Sequence, residues 1–172
     1  MKEILFRGKT KETHEWVYGG YCKMDDRRFI VQRNKEANSW GMFEVGPYTV
    51  GQFIGKVDRN GRLIFEGDLC LVTIPGYPYL DEESIITDPP YMKLGKCVRD
   101  LENTGFYSEN KVGEPYKWWN LNDMPDTYCG LVEVVGNIYD NPDYICPVCG
   151  EPWNSKRDTE GKEPCRACGE FI

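Results

Sequence analysis

Four cysteines near the C-terminal end form the clearest chemical pattern in the chain. Cys146-Pro-Val-Cys149-Gly and Cys165-Arg-Ala-Cys168-Gly are two CxxCG units with fifteen residues between them. A tight CxxC turn aims two thiolates inward, and its glycine lets backbone N–H groups approach sulfur. Two such knuckles supply the tetrahedral four-thiolate shell that Zn²⁺ prefers in structural sites. Cys146, Cys149, Cys165 and Cys168 are therefore expected to hold one Zn²⁺ ion. Iron in a rubredoxin-like site and a pair of disulfides are the other readings of the spacing. Disulfides fit poorly, because nothing in the chain routes it to an oxidising compartment. Four sulfurs close the shell and leave no position for a reacting water, so the expected role is structural. The segment 144–172 offers a core only Tyr144, Ile145, Val148, Trp153, Phe171 and Ile172. Metal binding, worth on the order of 10 kcal/mol, must then supply its folding energy.

Other chemistry has less to stand on. His14 is the single histidine and lies in a charged connection, with no nucleophile placed beside it by any triad-type signature. Glu66 and Asp68 straddle Gly67 and resemble paired carboxylates, but acceptance of backbone N–H bonds at a turn explains Asp68 more simply. The DRNG stretch lacks the Lys-Ser/Thr ending of a phosphate-binding loop. Cys22, Cys70, Cys97 and Cys129 are far apart in strand-like runs. They read as small buried hydrophobes, with a second metal site assembled in space as the alternative.

The elements that must position these residues are organised around Gly51–Ile74, GQFIGKVDRNGRLIFEGDLCLVTI. A β-prone run reaches Val57, stops at Asp58-Arg59-Asn60-Gly61, and returns from Arg62 to Phe65. Asp heads a turn well, and Asn-Gly is expected to supply the positive φ values of a tight hairpin. Glu66-Gly67-Asp68 breaks the run before Leu69–Ile74. A hairpin, a glycine corner and a third strand predict a small, strongly bent β-barrel of the SH3-like sort. Upstream, strands are expected from Glu3, from Trp16, at Phe29–Gln32 and, as an edge, at Trp40–Val45. The Gly19-Gly20 pair allows a bulge or close backbone approach. Downstream, proline-rich 75–95 and aromatic-rich 108–128 read as excursions from the barrel, and Leu131–Tyr139 reads as its last strand. Tyr77, Tyr79, Trp118 and Trp119 in those excursions are candidate partner contacts, since loops carry recognition. Caps on the barrel's apolar end are the competing reading for the tryptophans.

At 172 residues the chain has room for one medium core and an appendage. No apolar run approaches the roughly 18 residues of a membrane span. The N-terminus lacks a signal peptide's apolar segment, so a cytoplasmic, membrane-free protein is expected. Net charge is −7, unevenly spread: residues 1–35 carry +4 and residues 36–143 carry −10. This argues against non-specific DNA binding by the whole surface while leaving room for a local basic patch.

EILFRG near the start, QFIGKVDRNGRLIFEGD in the middle and EVVGNIYDNP near Tyr139, in that order, resemble the YopX-like family of small phage and prophage proteins. The resemblance implies an all-β, SH3-like barrel over 1–143, to which this chain adds a C-terminal zinc ribbon at 144–172. It carries over no catalytic residue. A non-enzymatic module that binds a host or phage protein is the expected function. A nucleic-acid-associated regulator and an enzyme with an unrecognised site are the alternatives.

Overall fold

Aromatic and β-branched residues in short runs, separated by Gly, Asn and Asp, favour strands and tight turns over helices. The computed structural model describes residues 4–34, 36–74, 78–81, 84–87, 91–99, 104–109, 115–121 and 128–144. These contain no α-helix. The strands are β1 (Phe6–Lys9), β2 (Trp16–Met24), β3 (Arg27–Asn34), β4 (Ser39–Val45), β5 (Gly51–Asp58), β6 (Leu63–Phe65) and β7 (Asp68–Ile74), then β8 (Pro78–Asp81), β9 (Ser84–Thr87), β10 (Tyr91–Arg99), β11 (Thr104–Glu109), β12 (Pro115–Asn120), β13 (Tyr128–Cys129) and β14 (Val132–Asn137). Two compact units result: Met1–Lys56 with Leu63–Glu66, and Val57–Arg62 with Gly67–Ile172.

In the first unit, β1 to β4 form an antiparallel meander, with β5 on the outer side of β1 and β6 against β5. β2 divides its length between two neighbours. Trp16–Gly19 pair with β1 and Gly20–Met24 pair with β3. The changeover falls at the glycine pair, where a Cβ on Gly19 would lie 2.1 Å from the Val31 carbonyl oxygen. Only a residue without a side chain allows that approach, as the sequence suggested. At the other end, Thr10 forms an antiparallel bridge with Val45, Lys11 N–H donates to the Glu44 carbonyl, and Gly46 N–H donates to that of Lys9. Ile30 and Val45 are fully buried, each stabilising the unit by roughly 1.5–3 kcal/mol. Phe65 packs on Tyr18 and Phe53.

In the second unit the five-stranded order is β12-β11-β10-β7-β14, antiparallel throughout. β7 lies between β10 and β14, so its Leu69, Cys70 and Val72 are buried along with Cys97, Val132 and Val134. The stretch 75–95 contains a separate hairpin, β8 with β9. Residues 108–128 contain most of a paired strand, β12. The all-β, antiparallel expectation holds, apart from a two-residue parallel pairing of β13 with Val57 and Asp58. The ladders among the described residues run as open sheets.

The central turn differs from its sequence reading. Gly61 alone adopts positive φ (79°), while Asn60 does not. Asp58 N–H donates to the Arg62 carbonyl, Gly61 N–H to the Asp58 carbonyl, and the Asp58 carboxylate accepts from the N–H groups of Asn60 and Arg62 at 2.9 and 2.8 Å. With the side chain holding an ordinary first turn, only the last loop residue must go left-handed. The other oxygen of Asp58 accepts from Val134 N–H at 2.9 Å. Asp58 is fully buried, and this one carboxylate fastens the hairpin tip to β14. Arg59 adds a backbone bond to Val132 and an ion pair with Glu133. Gly67, at φ 79°, turns the chain into β7 against the Tyr139 ring, and its carbonyl accepts from Ile138 N–H. Asn137 closes the strand, its Oδ1 accepting from Tyr139 and Asp140 N–H.

Candidate interaction surface

The sequence-predicted site residues fall in different places. Cys146, Cys149, Cys165 and Cys168 lie outside the described residues, as does Tyr77. Tyr79 is on β8, opposite Ile86. Trp118 and Trp119 are on β12, the last strand of the five-stranded sheet. Trp119 pairs with Phe106 and Lys117 with Tyr107, which leaves Trp118 as the extra residue of a bulge. The run Tyr116-Lys117-Trp118-Trp119 suits a pleated surface, which is why it pairs where a loop excursion was expected. Glu66 takes a structural role: its carboxylate accepts from Gln52 N–H at 2.9 Å, and its carbonyl accepts from the Arg7 guanidinium at 3.2 Å. Asp68 is buried at the start of β7. His14 sits exposed in a turn at φ 57°. Cys70, Cys97 and Cys129 are buried as expected, whereas Cys22 is half-buried. The described residues contain no group of three or more His, Cys, Asp and Glu that could hold a metal ion, and no helix among them is long and apolar enough to cross a membrane.

The sheet made by the second half of β2 with β3 and β4 is different in kind. Its register sets Cys22 opposite Phe29, Met24 opposite Arg27, Phe29 opposite Glu44, Val31 opposite Met42, and Arg33 opposite Trp40. Alternate residues of a strand share a face, so these side chains lie together. The result is an apolar strip with arginines at its margins. Trp40 is 69% exposed, Met42 55% and Met24 46%. The Arg33 guanidinium lies 5.9 Å from the Trp40 ring centre, and that of Arg27 lies 5.3 Å from the ring of Phe29. Such pairs are each worth about 0.5–1 kcal/mol at exposed sites and leave the cation's outer side open to a partner.

Charge on these strands runs against that of the chain. Strands β1 to β4 carry six cations, Arg7, Lys9, Lys23, Arg27, Arg28 and Arg33, against one acid, Glu44. That acid is already matched, since Lys11 Nζ lies 2.6 Å and Arg27 Nη1 3.6 Å from its oxygens. The hydrogen bond from Lys11, helped by the positive charges of Lys11 and Arg27, holds the Glu44 carboxyl below the usual carboxylate range. Polyanionic or carboxylate-bearing surfaces are what such a face attracts.

β4 is also the last strand of its sheet. Because Lys11 N–H reaches the Glu44 carbonyl from the side away from β3, the backbone groups of Glu44 point outward. By the alternation of an antiparallel ladder those of Met42 and Trp40 do so too. Beside this edge the 10–15 connection leaves a cleft of about 450 Å³, lined in part by Lys11, Thr13, Val17, Met42 and Phe43. Sequence reading found the edge strand but missed its exposure. The available signal was that Trp40, Met42 and Phe43 fill both faces of a strand with no charge before Glu44.

Compared with known proteins, the chain matches a family model described as YopX protein over residues 5–145, most of its length. No curated protein matches it.

Proposed function

The chain belongs to the YopX family, and on that premise we propose that it is a phage or prophage accessory protein that binds another protein and does not itself catalyse a reaction. The observation that carries this reading is the apolar, arginine-edged face of β2 to β4, whose exposed Trp40 and Met42 contribute little to a folded monomer and mark a contact surface. Three finer elements belong to the same proposal. The first unit closes toward an SH3-like barrel, supported by the Thr10–Val45 bridge. Cys146, Cys149, Cys165 and Cys168 bind one structural Zn²⁺, supported by their spacing. Tyr77, Tyr79, Trp118 and Trp119 anchor the partner, a host or phage protein in the bacterial cytoplasm, with the acids Asp81, Glu82 and Glu83 favouring a basic surface on it.

Affinity purification from phage-infected cells, followed by single alanine substitutions at the four aromatics, tests the reading. Truncating a true anchor costs roughly 2 kcal/mol or more, about a thirtyfold loss of affinity. Normal partner capture by every folded variant would remove these residues from the proposal. Metal analysis of chain purified without chelators should give one zinc per chain, and a ratio near zero would remove the ribbon.

Nucleic-acid association is the second reading, favoured by the six cations of β1 to β4. It requires binding that weakens steeply with salt.

A further inference from the structure

We infer that the outer edge of β4, from Ser39 to Phe43, docks an extended acidic segment of a partner protein, which adds to the sheet as a further strand. This rests on the reading of the chain as a protein-binding module. It assigns that reading a surface separate from residues 75–95 and 108–128.

The backbone supplies the first argument. The outward N–H and C=O groups of Trp40 and Met42 lie on a strand with no further neighbour among the described residues. At Val45 the same edge is already engaged by Thr10, so the open length is Ser39 to Phe43. Proteins protect exposed edges with lysine, proline, bulges or short length, because an open row of donors and acceptors recruits other strands. β4 has seven residues, pairs with β3 along its whole length without a register shift, and contains no Lys or Pro. Its only charge, Glu44, is neutralised by Lys11 and Arg27. An edge left in this state is suited to strand addition, in which main-chain bonds give affinity and alternate side chains give specificity.

The side chains specify the occupant. Apolar residues of an added strand would lie beside Trp40 and Met42 on one face and Phe43 on the other. Arg33 stands one strand further in, about 10 Å from an added backbone, a span that a guanidinium and a carboxylate cover together. Six cations against one acid on β1 to β4 favour carboxylates on the incoming segment. A second copy of the chain fits less well. Pairing β4 with its own symmetry mate would extend one face with duplicated Arg27 and Arg33 and no unmatched acid to meet them. Single-stranded nucleic acid also fits less well, because stacking needs successive rings and Trp40 is the single exposed ring on this face of β3 and β4.

The test uses the full chain and a fluorescein-labelled peptide of alternating Glu and Val, nine residues long, with binding read by fluorescence anisotropy. Binding in the micromolar range is expected, at least tenfold weaker for a peptide with Lys in place of Glu. Met42→Pro should also weaken it at least tenfold: the Met42 N–H points away from β3, so proline removes an edge donor and leaves the β3 ladder in place. Circular dichroism checks the fold. Should Met42→Pro fail to fold, the exposed substitutions Trp40→Ala and Arg33→Glu carry the test, each with an expected loss of about fivefold or more. Equal binding of the Glu and Lys peptides, or binding unaffected by all three substitutions, overturns the assignment. So does tighter binding of a dT15 oligonucleotide that Trp40→Ala abolishes, or a dimer in sedimentation that Met42→Pro dissociates. Capture of a partner that depends on Trp118 or Trp119 but not on β4 would leave the binding-module reading standing and remove only this surface.

Discussion

The Asp58 turn and the β4 edge treat their polar groups in opposite ways. At the turn one buried carboxylate takes three backbone N–H groups, two from its own loop and one from Val134 across 76 residues of sequence. Along β4, outward backbone groups and the side chains of Trp40 and Met42 face solvent. The difference separates two uses of a strand. Where every donor is matched and buried, the residues hold the fold and leave nothing for a partner. Where donors stay open beside exposed apolar groups, the fold gains little and recognition gains a surface.

The largest effect expected from this contrast is at Asp58. Alanine there strips three donors of their acceptor in a fully buried setting, and the loss should be about 3 kcal/mol or more in denaturant unfolding. An unchanged unfolding midpoint would break the comparison at its stronger end. Gly67→Ala should cost about 1–2 kcal/mol. The backbone is left-handed there, and a Cβ would come within 3.2 Å of the Tyr139 ring. On the other side, Trp40→Ala and Met42→Ala should each shift stability by only about 0.5 kcal/mol, while concentration-dependent association falls. A large loss of stability at either position would show that these side chains belong to the core.

The smallest effect is electrostatic. Glu44 keeps its charge to a lower pH when folded than when unfolded, chiefly because Lys11 donates a hydrogen bond to it. Its contribution to stability is therefore present above the ordinary carboxylate range and is lost as pH falls through the depressed value. Lys11→Met should raise the Glu44 pKa, seen by NMR titration of the carboxyl carbon, and shift the loss to higher pH. An unchanged titration would mean that the bond does not persist in solution.

Local turn chemistry was legible because it depends on neighbours in sequence. Asp58 as head of a turn, Gly67 as a corner and the Gly19-Gly20 pair as a close approach all follow from the conformations their residue types permit. Asn60 shows the limit of that reasoning. Asn-Gly favours two positive φ values, but the Asp58 carboxylate holds a first turn that needs only Gly61 to be left-handed. The pairing of Trp118 and Trp119 with β11 escaped the reading because a strand interrupted by a bulge has no clean alternation.

By itself the sequence determined the strand-rich class, the order of the central hairpin and its corner, the membership announced by three short segments, and the cysteine spacing that makes a zinc ribbon the natural expectation for residues 144–172. Those features rest on short-range stereochemistry and on spacing, which a linear chain displays directly. Only the tertiary structure decided that Asp58 reaches Val134, that Glu44 is matched by Lys11 and Arg27, and that Trp40 and Met42 stand on an open edge. Each depends on which strands become neighbours and which strand ends the sheet. Exposure and long-range hydrogen bonding are properties of that arrangement, so a strand such as Ser39–Val45 reads the same in sequence whether its edge is covered or free.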